Sequence, residues 1–196
     1  LKVIDSDLGL QFKSNKKAEY LERQLFVCPK CKNVQTIYSK GNKVYCSNCD
    51  LEAEYLENLH IKVNDNNIKF EKIVDWYKYQ LEYIKNYNVS NNDIFIDEEV
   101  ELYRSEYNKP RKLITKGTLV LNNEELKCGD YSIKISEITS SSVIGGFKFI
   151  VSTEDSNYIV KGNERFNPIK YVLMFNVLDG PIKEKGGDKY YGLSIY

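Results

Sequence analysis

The chain has 196 residues, of which 42% are hydrophobic and 29% are charged, as in an ordinary globular protein. Its 28 basic residues balance its 28 acidic residues, so no overall positive field exists to attract nucleic acid or anionic lipid. No apolar run reaches the roughly 18 residues that a membrane-spanning helix needs. Binding to such partners must therefore rest on a local patch.

The first 25 residues carry many charges and little hydrophobic periodicity, which predicts a connector at 1–25. The chain begins at Leu1 with no signal-peptide pattern. We therefore expect it to be a piece of a longer protein.

Four of the five cysteines form two CxxC pairs, Cys28 with Cys31 and Cys46 with Cys49. A CxxC forms a tight turn, here called a knuckle, that can direct two thiolates at one ion, and two knuckles complete the tetrahedron that zinc prefers. We predict structural Zn²⁺, with iron as the minor alternative, because four thiolates leave no open position for catalysis. A redox function would leave the second pair unexplained.

The residues between the two knuckles predict a hairpin. Residues 34–38 and 43–46 are β-prone, and the turn between them contains Gly41, which can adopt a positive φ. After the knuckles, Asn33 and Asp50 are expected to take the left-handed conformation that turns the backbone back.

Residues 70–84 predict a helix with one buried face. Its apolar stripe is formed by residues that recur at three- and four-residue spacing: Phe70, Ile73, Tyr77, Leu81 and Ile84. Trp76 and Tyr79 lie off this stripe, so they either pack in the core or form a contact surface. A polar linker follows the helix.

The region after residue 93 predicts an antiparallel meander of short strands. Six β-prone segments cover residues 100–107, 117–123, 125–129, 131–136, 147–152 and 157–162. A final helix is marked by Asn167 as N-cap, Pro168 at the first position and Gly180 past the end. Because this helix is apolar nearly all round, we expect it to be buried and to close one end of a small barrel.

The predicted fold class is therefore mainly β with α (α+β). It comprises a rubredoxin-like zinc ribbon at 26–58, a helical linker at 59–92 and an antiparallel β-barrel with its capping helix at 93–196.

The single histidine and the fifth cysteine are also chemically capable residues, and neither is predicted to be catalytic. His60 and Asp65 have the spacing of the HxxxxD motif of glycerolipid acyltransferases, in which the His acts as general base. Leu59 stands where that family usually has Asn, which favours a surface or linker histidine. Cys128, in a predicted strand, is interpreted as a small buried residue rather than a reactive thiol.

Several stretches, taken in chain order, resemble the C-terminal extension of some bacterial 1-acyl-sn-glycerol-3-phosphate acyltransferases of the lysophospholipid acyltransferase type. They are "LERQLFVCPKC", "TIYSKGN", "YCSNCDLEAEY", "DWYKYQLEYI" and "KGNERFNPIKYVLMFNVL". The resemblance implies a non-catalytic tail, since that family's HxxxxD motif lies upstream of the ribbon. It also implies a cytoplasmic location, at the inner face of the membrane, with structural, regulatory or docking roles.

The strand series and the final helix also resemble the PH-like barrel of GRAM-type domains, and such barrels often bind lipid headgroups or proteins. A dense basic cluster in this region could hold an anion or a lipid headgroup, because Arg binds phosphate with a bidentate fork. A solvated loop is the competing interpretation. The cluster consists of Lys109, Arg111, Lys112 and Lys116.

Three functions stay open at this point. The first is docking on membrane lipid headgroups or on a parent catalytic domain, and the second is binding to another protein or to a second copy of the chain. The third, without an enzymatic parent, is nucleic-acid binding by the ribbon, but its lysines are followed closely by acidic residues that oppose such binding.

Overall fold

A computed structural model describes residues 11–89, 94–106 and 108–178. The chain divides into two compact units, Leu1–Gln80 and Leu81–Tyr196. The described residues are mainly β, with two antiparallel sheets and two α-helices, so the predicted mixed class is confirmed at this level. No helix in these ranges has the length and apolarity to cross a membrane.

The first unit contains a four-stranded antiparallel sheet in the order β1-β2-β3-β4. Its strands are β1 (Ile37–Lys40), β2 (Lys43–Cys46), β3 (Glu52–Tyr55) and β4 (Ile61–Val63).

The hairpin of β1 and β2 begins later than the sequence predicted. Val34 forms an isolated bridge with Val27, and Gln35 has a φ of 59°, which interrupts an extended strand there. The turn forms as expected, with Gly41 at a φ of 62°.

The core of the first unit extends beyond the predicted ribbon boundaries of 26–58. Ala18 and Leu25 enter it from the N-terminal side, and Ile61 enters from β4. Helix α1 (Ile73–Lys85) adds Trp76, which is fully buried. The segments predicted as connector and linker therefore contribute side chains to the same core as the ribbon.

Helix α1 begins three residues later than predicted. The carboxylate of Asp75 accepts the backbone N–H groups of Glu71 and Lys72 at 3.0 and 2.9 Å, which satisfies donors at the start of the helix. Trp76 and Gln80, one turn apart on the helix, are both fully buried. The core interpretation of Trp76 is thus confirmed.

The second unit contains a seven-stranded antiparallel sheet in the order β8-β7-β6-β5-β11-β10-β9. Six of its strands overlap the six predicted segments, and β9 was not predicted. The strands are β5 (Phe95–Ser105), β6 (Lys112–Leu121), β7 (Glu125–Cys128), β8 (Tyr131–Lys134), β9 (Ile138–Ile144), β10 (Lys148–Thr153) and β11 (Asn157–Lys161).

Two meanders make up this sheet, β5 to β8 and β9 to β11, and the pairing of β5 with β11 joins them. Within the described residues β8 and β9 are outer strands that do not pair with each other. The prediction of a closed barrel is therefore wrong. Strand β5 bends at a register shift between Asp97 and Val100, where Glu99 has a φ of 56°.

Helix α2 (Ile169–Leu178) starts as predicted, because the side-chain oxygen of Asn167 accepts the N–H of Lys170 at 3.2 Å. The predicted C-terminal Gly180 lies outside the described residues. The helix is buried on all sides from Ile169 to Phe175, as its apolar sequence predicted. The ring of Phe149 on β10 stacks on Tyr171 and on Phe175, with centroids 5.2 and 5.8 Å away.

One charged side chain of α2 lies inside this aromatic core. Lys170 is 2% exposed, and its Nζ lies 2.6 Å from a carboxylate oxygen of Asp97, which also accepts the hydroxyl of Tyr171. Burial lowers the pKa of Lys170, and the Asp97 charge opposes that shift. Each of the two charges therefore has a partner, and the ion pair connects α2 to the bend of β5.

Candidate metal centre

The four cysteines of the two knuckles meet at one point of the first unit. Their sulfur atoms all lie within 4.8 Å of one another. Cys28 Sγ is 3.6 Å from Cys49 Sγ, and Cys31 Sγ is 3.7 Å from Cys46 Sγ. These distances are far longer than a disulfide bond, and all four thiols are free.

The sulfur separations fit a tetrahedral ion. With zinc–sulfur bonds of about 2.3 Å, the edges of the tetrahedron are about 3.8 Å long, close to the separations of 3.6 and 3.7 Å. Cys28 and Cys46 are buried, whereas Cys31 and Cys49 are half-buried. An ion at the centre would be shielded by protein on one side, and four protein ligands would complete its coordination.

The first knuckle is closed by backbone hydrogen bonds. The N–H of Cys28 donates to the carbonyl of Asn33, and the N–H of Lys32 donates to the carbonyl of Cys28, both at 2.9 Å. The left-handed residue is Lys32, with a φ of 62°, and not Asn33 as predicted. Asp50, after the second knuckle, also lacks a positive φ, so both of these local predictions were wrong.

Hydrogen-bond donors surround the sulfurs and would stabilise negative charge on thiolates. The N–H of Cys31 donates to Cys28 Sγ at 3.5 Å, and the N–H of Asn48 donates to Cys46 Sγ at 3.4 Å. In addition, the thiol of Cys46 donates to the hydroxyl oxygen of Thr36 at 3.3 Å. Such contacts orient metal ligands as well as stabilise their charge.

The thiols differ in how their surroundings shift the pKa. Burial raises the pKa of Cys28 and, less strongly, that of Cys49. Burial alone would also raise the pKa of Cys46, but its hydrogen bonds with Thr36, with the N–H of Asn48 and with neighbouring thiols outweigh burial and lower the pKa to about 7. Among these three thiols, Cys46 is the one whose surroundings favour the thiolate.

An ion pair joins the two knuckles on the outside. Lys30 Nζ lies 2.8 Å from Asp50 and 3.5 Å from Asp65. Asp50 is largely exposed, so the stabilisation is small. Asp65 also accepts the N–H of Asn67 at 2.9 Å, whereas His60 forms a backbone bridge with Lys72. The contacts of Asp65 thus belong to its own turn and to the knuckle.

Helix α1 supports the segment that leads into the first knuckle. The indole N–H of Trp76 donates to the carbonyl of Val27 at 2.8 Å. The side-chain amide of Gln80 accepts the N–H of Phe26 at 3.1 Å and donates to the carbonyl of Gln24 at 2.6 Å. Sequence reasoning missed Gln80, because a hydrophobic pattern does not register a polar residue that satisfies buried backbone groups.

The basic cluster predicted as an anion site lies in the second unit, and its four side chains differ in their partners. Lys109 pairs with Glu106, and Lys116 pairs with Glu101, each at 2.5 Å. Arg111 and Lys112 are exposed. Two of the four predicted positive charges are therefore balanced by carboxylates. Glu106 lies just before the cluster in sequence, and Glu101 lies on the neighbouring strand.

The lone thiol of Cys128 is 1% exposed and lies 3.9 Å from the carbonyl of Val100. Burial raises its pKa. The interpretation as a small buried residue is confirmed.

No family model, no curated protein and no solved structure matches the chain.

Proposed function

We propose that Cys28, Cys31, Cys46 and Cys49 bind one structural Zn²⁺ ion and that the first unit is a zinc ribbon. The observation that carries the proposal is the convergence of four free thiols at separations typical of a tetrahedral tetrathiolate site. Four thiolates leave no coordination position for water or substrate. The ion would stabilise the fold and would not act as a Lewis acid in catalysis.

The energetic need for an ion follows from the size of the first unit. Its cluster of buried apolar residues includes two of the proposed ligands themselves, Cys28 and Cys46. A core of this size contributes little net stability alone, and the binding energy of a structural metal then becomes folding energy. The two knuckles tie β2 and the turn after it to the segment from Val27 to Lys32.

Elemental analysis of the reduced, purified chain tests this proposal. We expect one zinc ion per chain, with loss of bound metal in Cys31→Ser and Cys49→Ser. Cys128→Ala is the matched control, since it removes a thiol from the other unit and should keep full occupancy. A wild-type chain that takes up no zinc during refolding, or ligand variants that retain it, would contradict the proposal.

For the second unit we propose a PH/GRAM-like module that docks on a membrane or on a catalytic domain. Its support is the succession of seven antiparallel strands and a buried helix, together with the sequence resemblance described above. In this proposal the chain is the non-catalytic region of a lysophosphatidate acyltransferase. The exposed Arg111 and Lys112 are the residues proposed to meet lipid phosphate.

Vesicle sedimentation at low salt tests the docking proposal. The chain should pellet with vesicles that contain phosphatidate, and Arg111→Glu with Lys112→Glu should reduce pelleting. Lys127→Glu with Lys134→Glu, a pair of exposed lysines on β7 and β8, is the control for net charge. Absence of pelleting at low salt would count against lipid binding.

A further inference from the structure

A polar cavity of about 460 Å³ opens in the second unit. Its walls come from β8, from the short 3-10 helix Ile135–Glu137 and the start of β9, and from the turn between β10 and β11. Arg104 on β5 and Tyr158 on β11 complete the lining. The volume lies in the range of pockets that bind small molecules.

The charges around this cavity are mostly negative. Glu137, Glu154 and Asp155 line it, and all three are exposed. Arg104 is its one basic lining residue. Within the described ranges, none of the three carboxylates forms an ion pair. A positive group bound in the cavity would be attracted by all three.

An aromatic pair provides a second feature suited to a cation. The rings of Tyr131 and Tyr158 lie 5.8 Å apart, and their hydroxyl oxygens are 2.8 Å apart. Tyr158 is 5% exposed, so its ring is held rigidly by the fold. After one hydroxyl donates to the other, the phenol oxygens still have lone pairs that can accept an N–H from a ligand.

The cavity already contains one example of a cation beside this pair. The guanidinium carbon of Arg104 lies 5.8 Å from the centre of the Tyr158 ring, within the distance at which aromatic faces attract cations. Arg104 is exposed, so its side chain can move aside.

From these observations we propose that the cavity binds the ammonium or guanidinium group of an organic cation. An anion such as phosphate would meet one guanidinium and three carboxylates, so repulsion would exceed attraction. The proposal does not depend on the metal centre. Arg104 and the carboxylates should have opposite effects on the affinity for the cation, because Arg104 repels the ligand that the carboxylates attract.

Titration of the full zinc-loaded chain with agmatine, followed by amide NMR shifts at low ionic strength, tests this inference. We expect saturable shifts centred on Tyr131 and Tyr158, and no such shifts with inorganic phosphate. Neutralising all three carboxylates, as Glu137→Gln, Glu154→Gln and Asp155→Asn together, should weaken binding at least about tenfold. Arg104→Gln should tighten it about two- to fivefold.

Glu98→Gln is the matched control, because this exposed carboxylate lies on β5 roughly 20 Å along the strand from Arg104. It should leave the affinity for agmatine unchanged, and preserved spectra will show that every variant is folded. Titration with a tripeptide that has a central arginine tests whether the cavity accepts the guanidinium group of a polypeptide as well as that of a free small molecule. The proposal is overturned if agmatine gives no saturable shift, if the triple variant binds as Glu98→Gln does, or if phosphate binds and Arg104→Gln abolishes that binding.

Discussion

The two units stabilise their folds by different means. In the first unit, a small apolar core is supplemented by four converging thiols and by polar side chains that hold backbone groups, such as Trp76 and Gln80. In the second unit, large aromatic rings pack between a seven-stranded sheet and α2. The contrast indicates that metal should matter to one unit and side-chain volume to the other.

The largest effect is expected from loss of a proposed metal ligand. Cys46→Ser removes a buried sulfur from the site, and structural zinc contributes about 10 kcal/mol or more to the folding of small zinc modules. Limited proteolysis should therefore cut the first unit rapidly while the sheet of the second unit resists. Equal protection of both units in Cys46→Ser would show that the proposed metal site does not stabilise the first unit selectively.

The next effect concerns the aromatic core of the second unit. Phe149→Ala removes a fully buried ring that stacks on Tyr171 and Phe175, and should cost about 3–5 kcal/mol of unfolding free energy. Denaturant unfolding of the second unit measures this cost. The control is Phe147→Ala, two residues away at an exposed position, which should cost far less. Metal content should stay unchanged in both variants.

A smaller effect is expected at the hydrogen bond between α1 and the first knuckle. Trp76→Phe leaves the carbonyl of Val27 without its indole donor, which should destabilise the first unit by about 1–3 kcal/mol. Val74→Ala, on an exposed face of the same helix, is the control and should change stability by less than about 0.5 kcal/mol. Equal effects of the two changes, in thermal unfolding of the zinc-loaded chain, would disprove this contribution.

The smallest effect is expected at the start of α2. Asn167→Ala removes the side-chain acceptor for the N–H of Lys170 and should cost about 1 kcal/mol. Serine is also a good N-cap, so Asn167→Ser should recover most of the loss. If both variants lose the same stability by denaturant unfolding, the cap is not the cause.

Local features of the two units could be predicted from sequence. The convergence of the cysteines and the turn at Gly41 depend on residues close together in the chain, as does the start of α2 at Asn167. Their physical basis lies in short-range geometry, which residue type and spacing specify. These are the parts of the fold and of the candidate site that the sequence predicted well.

Non-local pairings could not be predicted. Strand β9 was missed because its centre reads "TSSS", which lacks the alternation of apolar residues that marks a strand. The pairing of β5 with β11 joins residues more than 50 positions apart. It places β8 and β9 at the two edges of the described sheet. The burial of Lys170 against Asp97 depends on that same arrangement, since a lysine in sequence gives no sign of a buried partner.

We expect a metal ion to stabilise the first unit and not the second. Amide NMR spectra of the reduced, zinc-loaded chain before and after addition of a strong chelator test it most directly. We expect the signals of β1 to β4 to lose their dispersion, while those of β5 to β11 keep it, and readdition of zinc to restore the spectrum. Loss of dispersion in both units together, or in neither, would contradict the expectation that metal stabilises the first unit alone.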